Sequence, residues 1–69
     1  MEDVKITTEF ITLGQLLKYC SIISSGAMAK EFLMENEVLV NGEKEDRRGR
    51  KIYPGYEVTV KGRVIKVDK

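Results

Sequence analysis

The chain has no histidine and no tryptophan, and only one cysteine and one proline in 69 residues. These shortages exclude several kinds of chemistry. Without histidine there is no ligand set for a structural zinc site, and the single Cys20 has no imidazole to take its proton, so metal binding and cysteine catalysis are both set aside. Cys20 cannot close an intramolecular disulfide either, and it reads as a small buried residue on an apolar helical stripe. No apolar run approaches the roughly 18 residues needed to span a bilayer, and the acidic start Met1-Glu2-Asp3 lacks the cationic and apolar regions of a signal peptide. The expected location is the cytoplasm. Net charge is nearly absent as well, with 12 Lys and Arg against 11 Asp and Glu, so any strong positive patch must be a local concentration.

There is such a concentration. Four of the five residues in Arg47-Arg48-Gly49-Arg50-Lys51 are cationic. The run follows an apolar segment, Val38-Leu39-Val40, and an Asn41-Gly42 pair. Asn-Gly favours a tight hairpin turn because Gly adopts positive φ freely and Asn tolerates it. The residues between, Glu43-Lys44-Glu45-Asp46, are mixed in sign and read as an exposed ribbon leading into the cations, where charged side chains add little to stability.

The rest of the pattern supplies a scaffold. Val4, Ile6, Thr8 and Phe10 alternate with polar residues, which predicts a strand. Thr12 and Gln15 have the spacing of a capping box, and Leu13, Leu16, Leu17 and Cys20 form one stripe of a short helix. A second helix is predicted over about 26–35, capped by a serine, buried through Ala29, Phe32 and Leu33, and closed by Asn36 in the left-handed conformation. Met28 and Met34 read as filler at the core edge. Pro54-Gly55 and Lys61-Gly62 mark turns, Tyr56, Val58 and Val60 alternate as a strand, and a last strand over 63–67 has no clear facing. The predicted fold class is α+β: two short packed helices on a small, mostly antiparallel sheet, with residues 1–69 as one domain. A chain this short buries only about 60% of its unfolded surface, which leaves little room for a deep catalytic pocket.

Several motifs at defined spacing carry a resemblance. Leu16-Leu17-Lys18, Ser25-x-x-x-Ala29-Lys30-x-x-Leu33, Val38-x-Val40-Asn41-Gly42 and Lys51-Ile52-x-Pro54-Gly55 together resemble the S-four RNA-binding domain, the alpha-L module. With the N-terminal strand, Ser25-Gly26 and the basic run, the chain is most similar to the short stand-alone bacterial proteins of the YaaA type. The resemblance implies a domain without catalytic activity or cofactor that binds structured RNA, with ribosomal RNA as the target class and ribosome maturation as the role.

Elementary chemistry points the same way. Double-helical RNA hides its base edges in a deep groove, so a small rigid domain recognises it through phosphates, 2′-hydroxyls and shape. The candidate contact set is Lys18, Ser25, Lys30, Arg47, Arg48, Arg50 and Lys51. Ser25 also serves as a helix cap in this reading, and Tyr53 and Tyr56 are taken as core edge, with stacking on unpaired bases as the alternative. A reading from another class is a protein-interaction adaptor that sets the 43–51 ribbon against an acidic partner. An RNA-modifying enzyme is weakly supported, since the chain lacks histidine.

Overall fold

Leu13, Leu16 and Leu17 lie wholly out of solvent, as the apolar stripe requires, and they fix where the helical layer meets the sheet. The computed structural model describes every residue from Met1 to Lys69. In chain order the elements are β1 (Glu2–Lys5), β2 (Ile11–Thr12), α1 (Leu13–Tyr19), a single 3₁₀ turn (Gly26–Met28), α2 (Ala29–Glu35), β3 (Val38–Val40), β4 (Glu43–Lys44), β5 (Lys51–Ile52), β6 (Glu57–Val60) and β7 (Arg63–Asp68). No helix is long and apolar enough to cross a membrane.

The main sheet has five strands in the order β1-β7-β6-β3-β4, antiparallel throughout except for the parallel pair β1 and β7. Its register puts Val58 opposite Val40 on one side and Ile65 on the other. Alternation then sends Val38, Val40, Val58, Val60, Ile65 and Val67 to one face, where they meet Leu13, Leu16, Leu17, Ala29 and Leu33 in a single apolar core. The facing of the last strand is thereby settled: Ile65 and Val67 point inward. The architecture is the α+β one the pattern predicts.

The local signals hold at the first helix and at the turns. Thr12 Oγ1 accepts from the Gln15 amide at 3.3 Å while Gln15 Oε1 accepts from the Thr12 amide at 3.0 Å, a complete capping box. Asn41 and Gly42 have φ of 52° and 83°, as a tight hairpin needs.

Other expectations are corrected. The first strand ends at Lys5 and not at Phe10; Ile6 adds one more bond, its amide donating to the Asp68 carbonyl, and then Thr8 Oγ1 donates to the Phe10 carbonyl in a bend. The second helix opens with a 3₁₀ turn, and Ser25 makes no side-chain cap bond there. Asn36 is extended (φ −128°, ψ 143°); its amide and its side-chain Nδ2 both donate to the Phe32 carbonyl, and no left-handed residue closes the helix. Ala29 and Leu33 occupy the inner face of α2, so Met28 and Met34 are displaced to solvent, 45% and 76% exposed. Cys20 is half-buried against the core, and burial raises its thiol pKa.

Candidate nucleic-acid interface

The ribbon is where structure and sequence pattern differ most. β4 pairs with β3 for only two residues, the Glu45 amide adds one more bond to the Val38 carbonyl at 2.9 Å, and the chain then leaves the main sheet and crosses to the start of α1. There Lys51 and Ile52 form a separate two-stranded sheet with Thr12 and Ile11. The intervening loop is fastened by its backbone: the Leu13 amide donates to the Arg50 carbonyl at 2.8 Å and the Gly14 amide to the Arg48 carbonyl at 2.9 Å. These bonds, with the Thr12 cap, satisfy the first three amides of α1. The basic run is therefore a loop docked on a helix.

Glu45 shapes that loop from within. It was expected on an exposed ribbon, yet it is 6% exposed. Its Oε2 accepts from Arg47 Nε at 3.0 Å and from the Asp46 and Arg47 amides at 3.1 Å each, and its Oε1 accepts from Arg50 Nη1 at 2.7 Å and Arg47 Nη2 at 3.2 Å. A buried carboxylate is costly unless each oxygen is hydrogen-bonded, and here both are. The Arg47 guanidinium is the main cause that holds the Glu45 carboxyl at about 2, below its ordinary value and against the opposing pull of burial, with Arg50 adding to it. In return Glu45 raises the pKa of both arginines, and the Tyr56 phenol adds a smaller push on Arg50.

The expected contact residues now have positions. Arg48 and Lys51 are exposed and make no ion pair, whereas Arg47 and Arg50 share the Glu45 carboxylate. Arg48 lines a hollow of ≈ 340 Å³ with Thr12, Gly14, Gln15, Gly26, Ala29 and Gly49, so the loop meets the segment that follows Ser25. Ser25 is half-buried at the end of that segment, and Lys30 stands exposed on α2 next to Ala29. Lys18 lies on the other side of Gln15, in a hollow with Phe10, Ile11 and Tyr19. Arg47, Arg50 and Lys51 line a third hollow with Gly49, Tyr53 and Tyr56. No carboxylate lines the Arg48 or the tyrosine hollow, and the two adjoin at Gly49. Acids border the other hollows: Glu9 beside Lys18, and Glu31, Glu35, Glu37 and Asp46 around the end of α2.

Two features were missed in the sequence. Glu45 carried no signal, since an acid among acids and lysines looks solvated. Phe10 carried none for its surroundings either: it joins Tyr53 at 5.7 Å between ring centroids, and Lys51 Nζ sits 5.1 Å from its ring centroid. Tyr56 is half-buried against the core, but Tyr53 is 40% exposed and is not core edge.

With helices, sheet and docked basic loop in view, comparison with known proteins decides the family. The S4 domain model matches residues 4–68. This chain belongs to the S4 domain family. Among curated proteins it is 58% identical over 59 residues to one from Bacillus subtilis (strain 168) named "Probable ribosome maturation protein RlbA", a match that covers 86% of this chain and 83% of that protein. The S4 match spans all ten elements but for the first residues of β1 and the last residue of the chain.

Proposed function

We propose that this S4 protein binds structured RNA, acts in ribosome maturation in the cytoplasm, and has ribosomal RNA as its target. It acts as one domain over residues 1–69, without a catalytic step or cofactor. The observation that carries the reading is the pair of hollows that adjoin at Gly49 with no acid in their lining, Arg48 toward the Ser25–Gly26 turn and Lys51 toward the tyrosines together with Arg47 and Arg50, which share the buried Glu45. Phosphate contacts need donors fixed in space, and the loop's backbone bonds to α1 and its Glu45 anchor provide that fixity. Arginine in particular suits this arrangement, because a guanidinium has five donors and Arg47 and Arg50 can satisfy Glu45 and still present N–H groups outward. Lys18, Ser25 and Lys30 extend the proposed contact set along the helices. The name of the Bacillus subtilis relative supports the role in maturation.

Affinity for a ribosomal RNA fragment across a salt series tests the proposal. Four phosphate contacts give a log-affinity against log-salt slope of roughly −3, at about −0.7 to −0.9 each. Replacing Arg48 and Lys51 together by Ala, the two loop cations without an acidic partner, should flatten the slope by about two contacts. Equal slopes and affinities for wild type and double variant would refute this surface as the RNA contact. Loss of a protein partner alone, with RNA affinity unchanged, would establish the adaptor reading instead.

A further inference from the structure

Three of the chain's five aromatic residues, Phe10, Tyr53 and Tyr56, are gathered beside the basic loop. Burial does not account for all of them. Tyr56 packs against the core, whereas Tyr53 leaves 40% of its surface in water. The backbone that carries the two tyrosines is hydrogen-bonded in place. Tyr53-Pro54-Gly55-Tyr56 forms one tight turn in which the Tyr56 amide donates to the Tyr53 carbonyl at 3.0 Å and Gly55 takes φ 96°. The turn is bound to β7 by two further bonds, Gly55 N–H to the Val67 carbonyl at 2.7 Å and Val67 N–H to the Tyr56 carbonyl at 3.0 Å. The rings are tilted against one another, 52° for Phe10 with Tyr53 and 61° for Tyr53 with Tyr56, so no ring of this cluster is stacked face to face on another.

The hollow between the two tyrosines and the loop measures ≈ 420 Å³, within the roughly 300–1,000 Å³ of sites that take small organic groups. Its lining is two tyrosines, Gly49 and three cations, of which Lys51 is unpaired and Arg47 and Arg50 share the buried Glu45. An aromatic surface beside cations matches one chemistry in particular, a flat base carried on a phosphodiester, since bases stack on aromatic rings regardless of sequence while phosphates pair with Lys and Arg. We propose that this hollow takes a single unpaired nucleotide of the bound RNA, its base stacked on Tyr53 and its phosphate held by Arg50 and Lys51. The inference rests on the RNA-binding reading above and adds to it that the recognised RNA is a helix interrupted by an unpaired base.

The test uses two RNA hairpins of identical stem, one fully paired and one with a single unpaired 2-aminopurine. Wild type should bind the bulged hairpin more tightly than the paired one and change the fluorescence of the reporter base. Tyr53→Ala should lose about 5- to 150-fold in affinity for the bulged hairpin and little for the paired one. Tyr53→Phe should keep the preference, because stacking needs the ring and not the hydroxyl. Thermal melts of both variants near wild type establish that the fold is intact, as expected for a side chain this exposed. If Tyr53→Ala binds the bulged hairpin as wild type does, or if wild type binds both hairpins equally with the usual salt dependence, the nucleotide site is refuted and RNA binding stands. If wild type binds neither hairpin, both readings fall.

Discussion

The amide of Gly14 donates to the carbonyl of Arg48 across 2.9 Å, a bond between the first turn of α1 and the middle of the basic loop. The approach is close enough that a Cβ on Gly14 would lie 3.3 Å from the Ala29 Cβ and 3.4 Å from the Arg48 carbonyl oxygen. One small residue thus lets the first helix, the second helix and the loop meet at a point. Helix packing and cation placement are coupled there.

Gly14→Val should break that coupling. Its methyl groups have no space between Ala29 and the loop, and overpacking of this kind costs about 1–3 kcal/mol, a fall in Tm of roughly 7–20 °C for a domain of this size. RNA affinity should fall at temperatures where the variant is still folded. Gly14→Ala should do much less, because the helical preference of Ala over Gly, about 1 kcal/mol, offsets the tighter contact. A calorimetric melt and an RNA titration for each variant check both points, and a Gly14→Val protein with wild-type Tm would show the contact to be loose.

Glu45 gives a pH dependence with a definite sign. Its folded pKa is depressed from 4.5 to about 2, so its contribution to stability is fully present above about pH 4.5 and is lost as pH falls toward 2. Glu45→Gln should lower Tm at pH 7 by roughly 5–10 °C, since the charge-assisted bonds to Arg47 and Arg50 are weakened. It should also melt with a shallower acid dependence than wild type over that window. Parallel acid limbs for the two proteins would mean that Glu45 does not hold the loop.

Arg47 and Arg48 are neighbours with different duties. Arg48 has no acidic partner, so Arg48→Ala should leave Tm near wild type and reduce the salt slope of RNA binding by about 0.7–0.9, one phosphate contact. Arg47→Ala removes two side-chain bonds to a buried carboxylate and should lower both Tm and RNA affinity. Of the two cations only Arg47 is tied to a buried acid, so the two are expected to differ in what they add to stability. Melts and salt series on the two single variants, run side by side, would show the difference.

Leu17 and Leu33 test the interface between helices and sheet. Leu17 is 0% and Leu33 is 3% exposed, and truncation of either to Ala costs about 2–5 kcal/mol, a large share of the stability of a small domain. Both variants should be largely unfolded or melt far below wild type, and RNA binding should fall with the fold. Circular dichroism melts with unchanged midpoints would contradict the assigned helix faces.

The sequence by itself determined the parts whose causes are local. The Thr12–Gln15 capping box, the Leu13-Leu16-Leu17 stripe, the positive φ at Asn41, Gly42 and Gly55, and the period of two in β6 each depend on residues a few positions apart, so each was legible before any fold was known. The family was legible for a related reason, since its motifs are these same turns and faces at fixed spacing. The path of the basic run was not. It depends on Leu13 and Gly14 donating to Arg50 and Arg48, partners more than thirty residues away, and on a two-residue sheet between β2 and β5 too short to leave a periodic trace. Glu45 is the clearest case. Whether a carboxylate is solvated or buried among arginines is set by what the chain around it does, and only the tertiary structure folded Arg47 and Arg50 back onto it. The grouping of Phe10 with Tyr53 and Tyr56 has the same origin: a ring more than forty residues away shares a surface with the two tyrosines because β5 brings the Lys51–Tyr56 segment beside the start of α1.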